Sequence, residues 1–222
     1  MEASSTPLMA LMDCRLSDGD PPETLNELLD ILIAHPDREK EITARIHERF
    51  EREKAILILD ISGFTRITAE KGIVVFLSMI RRMWRACLPC IRKENGELVK
   101  IEGDNLFCLF DSVDEAVNAA GAILESLHEI NAGIESRNHL LAAIGIGFGK
   151  ILYIGNEDLF GCEVNLCSKL GEDLANPCEI LLTESAQRQM SSAKIPLQIR
   201  TVIISGVNLT YYEYCFARQH AP

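Results

Sequence analysis

The residues with the clearest chemical potential are two aspartates, each set at the end of an apolar run. Asp60 falls inside Ala55–Thr65, AILILDISGFT, where Ala55–Leu59 and Ile61 surround one carboxylate. A short unbroken apolar run before turn residues is what a strand buried on both faces looks like. An ionised aspartate at the end of such a strand is costly unless it is hydrogen-bonded or holds a cation. Ser62-Gly63 ends the run and Phe64-Thr65 opens a helical pattern, so the backbone N–H groups of these four residues point past Asp60. A carboxylate beside free amides suits a magnesium-bound phosphate, with metal on the acid and phosphate oxygens on the amides. Taken alone, Asp60 reads more simply as a cap on the turn.

The second aspartate changes that balance. Leu98–Phe110, LVKIEGDNLFCLF, is two apolar strands joined at Gly103-Asp104, a hairpin signal. If this hairpin lies beside the Asp60 strand, Asp104 meets Asp60 at one sheet edge. Two converging carboxylates would hold the two cations of an in-line phosphoryl displacement.

The elements that must position them follow in chain order. Residues 1–22 are small, polar and proline-bearing, as in a flexible segment. Residues 23–53 read as a helical extension, two helices broken at His35-Pro36. From residue 54 to 218 the order is strand, helix, strand, strand, helix, strand, with short strands to finish. The first helix is expected over about Phe64–Lys93, with Pro89 bending or ending it. Its outer face carries Arg81, Arg82, Arg85, Arg92 and Lys93, a solvated face or an acidic partner surface. The next helix opens on the capping box Ser112-Val-Asp-Glu115 and is expected to reach about Ser136. Gly145, Gly147 and Gly149 alternate in a run that no helix follows closely, which fits a bent strand under another backbone rather than a dinucleotide loop. The expected class is α+β, a ferredoxin-like βαββαβ core with extra C-terminal strands and an N-terminal helical extension.

A second constellation lies in Asp158–Leu174, DLFGCEVNLCSKLGEDL. Gly161 precedes a helix in which Asn165 and Lys169, four apart, share one face. An amide and an ammonium presented together could orient a sugar hydroxyl and neutralise charge growing on a phosphate. An ordinary solvated helix face has the same spacing.

Composition narrows the class. The chain has 222 residues, 47% apolar and 25% charged, with a net charge of −11. That acidity argues against a nucleic-acid binder, which needs a basic surface. No run is long enough for a membrane span and no signal sequence opens the chain, so a cytoplasmic protein is expected. The eight cysteines form no framework, and reduced, buried thiols are the natural reading, Cys108 and Cys215 among them. Cys87-Leu-Pro-Cys90 has CxxC spacing but no second pair or histidine nearby, and reads as packing.

DISGFT, the hairpin through Gly103-Asp104, and DLFG followed by VNLCSK together resemble a class III nucleotidyl cyclase catalytic domain, over roughly Lys54–Phe216. The resemblance implies an adenylate cyclase that converts ATP to cyclic AMP and pyrophosphate. It assigns Asp60, Asp104 and the carbonyl of Ile61 to two divalent cations, Mg²⁺ or Mn²⁺. It gives the phosphates to the amides of Ser62, Gly63, Phe64 and Thr65. Lys100 and Asp158 match the base-reading positions in their adenine form, a donor for the ring nitrogen and an acceptor for the 6-amino group. Asn165 matches the ribose-orienting asparagine, and Lys169 stands where the family generally has a transition-state arginine. The family's site forms between two domains packed head to tail, so the implied partner is a second copy or a related cyclase domain.

This chain departs from the family pattern in three places. Lys169 keeps the charge of arginine but loses its planar fork. Ser205 falls near the place of a late phosphate-binding lysine. Gly149 to Asp158 is shorter than many dimerisation arms. The alternative these departures raise is a weak or inactive cyclase homology module that binds nucleotide and regulates a partner. A diguanylate cyclase would need a GGDEF-like turn, where this chain has Glu102-Gly103-Asp104-Asn105-Leu106.

Overall fold

The computed structural model describes residues 23–61, 64–135, 139–191, 196–204 and 206–215. Residues 1–22 and Ser205, on which two of the expectations fall, lie outside them. The chain divides into two compact units, Met1–Ile46 and His47–Pro222. In the first, α1 (Leu25–Ala34) opens on a capping box between Thr24 and Glu27, and a 3-10 turn at Pro36–Arg38 leads to α2 (Glu39–Phe50), whose last turn belongs to the second unit. The break falls at His35-Pro36, as the proline demands. The helical extension gives out before residue 53, because β1 (Glu51–Ile61) starts directly after Phe50.

The second unit is built on one mixed sheet. After β1 come α3 (Phe64–Lys71), α4 (Ile73–Lys93), β2 (Glu97–Glu102), β3 (Asn105–Phe110), α5 (Val113–Asn131) and β4 (Ala142–Ile154). Then follow β5 (Asp158–Phe160), α6 (Cys162–Ser168) with a π turn at Lys169–Leu174, β6 (Ile180–Thr183), α7 (Glu184–Gln189), β7 (Leu197–Ile204) and β8 (Val207–Tyr214). The strand order is β2-β3-β1-β4-β6-β8-β7, with β5 paired to β4. Its first four strands have the ferredoxin-like order, all antiparallel, and β1 lies between β3 and β4. The join of β4 to β6 is parallel, so the late strands extend the sheet rather than form a separate one.

The apolar run of β1 is buried on both faces, as its composition requires. Ala55, Leu57, Leu59 and Ile61 meet α4 and α5 through Phe76, Met83, Ile123 and their neighbours. Ile56 and Ile58 point the other way, onto Phe107, Val164 and Cys167 beneath α6. Each fully buried Leu or Ile contributes roughly 1.5–3 kcal/mol, so the strand is an anchor for both layers.

The single helix expected over 64–93 is two helices. Gly72 adopts φ +83°, which side chains rarely adopt, and the chain restarts there as α4. Pro89 neither ends nor replaces α4, which runs on to Lys93. α5 has its capping box at Ser112 and Glu115 but stops at Asn131, short of Ser136. Of the β4 glycines, Gly145 admits a second backbone, while Gly147 and Gly149 face the Glu163 side chain. A Cβ on Gly145 would stand 2.2 Å from the carbonyl oxygen of Cys167, and one on Gly171 would stand 2.9 Å from that of Ile58. Cys87, Cys108 and Cys167 are buried and their thiols are pushed up by burial, whereas Cys162, Cys178 and Cys215 are exposed. Cys215 follows the last residue of β8, which explains why it escapes the core.

Candidate active site

Asp60 continues the alternation of Ile56 and Ile58, so its carboxylate emerges on the α6 side of the sheet, away from the large helical core. Asp104 sits in the β2–β3 turn, where Gly103 takes the positive φ (+62°) that the hairpin needs. The register Leu59↔Leu106 brings that turn alongside the end of β1. Burial first, then the charge of Asp104, then that of Glu172, push the Asp60 carboxyl up to about 6. A hydrogen bond from the Ile61 backbone opposes them only in part. Burial also holds Asp104 above the ordinary carboxylate range.

Partly desolvated carboxylates that repel one another are relieved by a cation, and this pair fits the group the sequence suggests. Magnesium commonly takes one or two protein carboxylates and completes its shell with substrate phosphate and water. Among the described residues no three acids, histidines or thiols are grouped to enclose a metal by themselves, so Asp60 and Asp104 would need that completion. The side chain of Ile61 is buried in the helical core, which leaves only its backbone for such a role. Ser62 and Gly63 lie outside the described residues. Phe64 and Thr65 begin α3, and the amides of a helix's first turn lack intrahelical acceptors.

Next to the aspartates is an open cleft of about 390 Å³. Lys100, Asp158 and Asn165 line it, with Phe107 and Val164 as apolar floor. Two features aim Lys100 into it. A β-bulge between Leu98 and Lys100 lets Val99 pack on the α6 side without putting Lys100 on the other. Phe107 then supports the ammonium, which stands 4.6 Å from the ring centroid. The Lys100 Nζ lies 3.0 Å from Asp158 Oδ1 and 3.0 Å from Glu102 Oε2. Burial works against its charge, and these two carboxylates more than offset it, holding the ammonium above the usual lysine value. Asp158 is fixed by β5, whose pairing with β4 begins at Ile154↔Asp158, and its Oδ1 accepts from the Leu159 N–H at 2.8 Å.

Asn165 and Lys169 keep α-helical spacing: the Lys169 N–H donates to the Asn165 carbonyl, and the π turn runs on from Lys169. Asn165 lines the cleft with Ser168 and Glu172, while the Lys169 ammonium pairs with Asp173.

Three cleft residues escape a reading of the sequence. Glu172 is raised by burial and by Asp173, Glu102 and Asp104, so it feels both the aspartate pair and the cleft. Phe107 looks like any core residue of the run LFCLF. Asn105 Oδ1 is shut off from solvent without a described partner, an acceptor left unmatched in the cleft wall. The irregular spacing of Leu98 and Ile101 is the one sequence signal of the bulge that sets Lys100 over Phe107.

Comparison with known proteins gives the same picture. The family model described as the adenylate and guanylate cyclase catalytic domain matches residues 47–212. A curated relative from Rhizobium meliloti (strain 1021), named "Putative adenylate cyclase 3", is 26% identical over 134 residues, 60% of this chain. The chain spans 22% of that relative's length. Among solved structures, the adenylate/guanylate cyclase/hydrolase of Silicibacter pomeroyi is similar at 22% identity and TM-score 0.62, covering 74% of this chain and 96% of that one. The guanylate cyclase domain of RhGC from Catenaria anguillulae, in complex with GTP, is similar at 18% identity and TM-score 0.63, covering 74% and 97%. An adenylate cyclase of Trypanosoma brucei in its monomeric state is similar at 17% identity and TM-score 0.62, covering 77% and 91%. At these identities the structures speak for the fold.

Proposed function

This chain belongs to the adenylate and guanylate cyclase catalytic domain family, and on that premise we propose that it is an adenylate cyclase converting ATP to cyclic AMP and pyrophosphate. The observation that carries the choice of adenine is the meeting of Lys100 and Asp158, 3.0 Å apart in one cleft. An ammonium donor beside a carboxylate acceptor matches the ring nitrogen and 6-amino group of adenine. Guanine would set its carbonyl against the carboxylate and its N–H against the ammonium. Adenine enters by parting the pair, so each side chain exchanges a bond to the other for a bond to the base.

Asn165, on the cleft wall, orients the ribose. The first-turn amides of α3 receive phosphate oxygens. Asp60, Asp104 and the Ile61 carbonyl would hold two divalent cations, whose charge would acidify the ribose 3′-hydroxyl and screen the α-phosphate. The 3′-oxygen forms its bond to the α-phosphorus as the bond to pyrophosphate breaks, and the hydroxyl proton passes to solvent. Lys169 must leave Asp173 to meet the growing negative charge. The site is completed by a second cyclase domain packed head to tail, as a homodimer or with a related chain.

Incubation with ATP and Mn²⁺ or Mg²⁺ should yield cyclic AMP by mass spectrometry, and Asp60→Ala should abolish it. Competing GTP, CTP and UTP should not suppress the signal at equal concentration. One observation favours a second reading: Lys169 is already neutralised by Asp173, and it has no arginine's fork. If a confirmed dimer is stabilised thermally by Mn·ATP yet forms no product, the protein is a nucleotide-binding regulatory module.

A further inference from the structure

Asp158 reaches Lys100 only because β5 is brought across the sheet. β5 pairs with β4, and β1 and β3 lie between β4 and β2. The β4–β5 hairpin therefore folds over the α6 side, where Ile151, Tyr153 and Leu159 pack with Ile56, Val99 and Phe107. That burial holds the hairpin down, but hydrophobic contact has no direction and does not fix where along the sheet it sits. Two polar ties fix it sideways. One is the pairing of Lys100 with Asp158. The other is Tyr153, whose hydroxyl donates to the Glu97 carboxylate. Tyr153 is the cross-strand partner of Leu159, the residue after Asp158, and Glu97 stands on β2 three residues before Lys100. Both ties thus join the same two segments.

We propose that Tyr153 is a positioning residue for base recognition: tied to Glu97, it keeps Asp158 at the distance from Lys100 that adenine spans. The inference rests on the adenine reading above, in which the base enters by parting Lys100 from Asp158. Once parted, that pair no longer holds the hairpin, and the Tyr153–Glu97 bond remains to set the width of the slot. Adenine must meet a donor and an acceptor at once, so a slot of unfixed width serves one edge atom at the expense of the other. Guanine already meets the wrong partner at both positions and is indifferent to the width. The tie lies at the surface, where water competes for both groups, so its effect is several-fold rather than all-or-none. The Tyr153 ring packs on the cluster with or without its hydroxyl, which makes the hydroxyl the separable part.

The test uses the full chain and isothermal titration calorimetry in Mg²⁺ with 3′-deoxy-ATP and 3′-deoxy-GTP, which lack the attacking hydroxyl and so report binding without turnover. Tyr153→Phe and Glu97→Ala should each weaken 3′-deoxy-ATP about threefold to tenfold and leave 3′-deoxy-GTP unchanged. Glu97→Gln, which keeps an acceptor oxygen, should stay within about twofold of the parent. The double variant Tyr153→Phe/Glu97→Ala should bind no more weakly than either single one, because both remove the same bond. All should melt within about 2 °C of the parent. In turnover assays the KM for ATP should rise while kcat stays within about twofold. An unchanged ATP-to-GTP affinity ratio in Tyr153→Phe overturns the proposal and leaves the adenine reading intact. So does an equal loss of both nucleotides with a lower melting temperature, which marks a tie that serves the fold alone. A parent chain without preference for 3′-deoxy-ATP overturns the adenine reading itself, and the positioning role with it.

Discussion

The two faces of β1 divide the molecule's labour. Toward α4 and α5, Leu57 and Leu59 enter a large core with Phe76, Met83 and Ile123. Toward α6, Ile56 and Ile58 enter a smaller cluster that ends at Asp60, and beyond it lie Glu172, Lys100 and Asp158. One layer supplies most of the apolar burial. The other gives some of it up to hold carboxylates above their ordinary range. Adjacent residues of one strand therefore carry opposite duties, and substitutions on the two faces should fail in different ways.

The largest effect is expected on the cleft face. Asp60→Ala or Asp104→Ala should cut turnover by at least about a thousandfold, about 4 kcal/mol of barrier, without unfolding the protein. A fully active Asp104→Ala protein would sink the metal assignment. On the helical face, Leu57→Ala should cost roughly 2–5 kcal/mol in denaturant unfolding and leave nucleotide preference unchanged. Gly145→Val couples the two. Its Cβ meets the Cys167 carbonyl at 2.2 Å, so α6 must lift, and about 1–3 kcal/mol of stability should go together with nucleotide affinity.

Smaller effects sharpen the contrast within the cleft. Lys100→Glu leaves Asp158 facing a like charge and should lower preference for ATP over GTP by roughly tenfold to a hundredfold, read from product ratios in mixed-nucleotide assays. The subtlest concerns acidity. The folded Asp60 carboxyl stands at about 6, above its unfolded value, so the folded protein binds the extra proton in between. Stability from this group is present at low pH and is lost as pH rises through about 6. Without metal, Asp60→Asn should therefore melt higher than the parent at pH 7.5 and show no advantage at pH 4. Mn²⁺ should stabilise the parent at pH 7.5 and progressively less below pH 6, which thermal melts at a series of pH values would show.

What could be read in advance was whatever depends on neighbours in the chain. The apolar run before Asp60, the Gly103-Asp104 turn and the Ser112–Glu115 box each state their structure locally, and each formed as expected. The glycines of β4 were legible for the same reason, since small residues at alternate positions ask for a close neighbour. The break at Gly72 was hidden because apolar residues continue across it in helical rhythm, and only a backbone reversal reveals it. Lys169 pairs with Asp173, and the i,i+4 spacing of the two was there to be read. Glu172 and Asn105 carry no signal in the chain. Their importance comes from segments that meet only after the sheet has formed.

The parallel pairing of β4 with β6 has a consequence in time. Hairpins such as β2–β3 close locally, but Ile144 can meet Ile180 only after α6 and the π turn have been carried across the sheet. Closing so long a loop is slow relative to hairpin formation. On a chain being synthesised, β1 to β4 are made before β6, so the four-stranded core can be registered before the segment bearing Asn165 and Glu172 is clamped between β4 and β6. A freshly made chain would then pass through an interval in which it is already a protein and not yet able to hold a nucleotide.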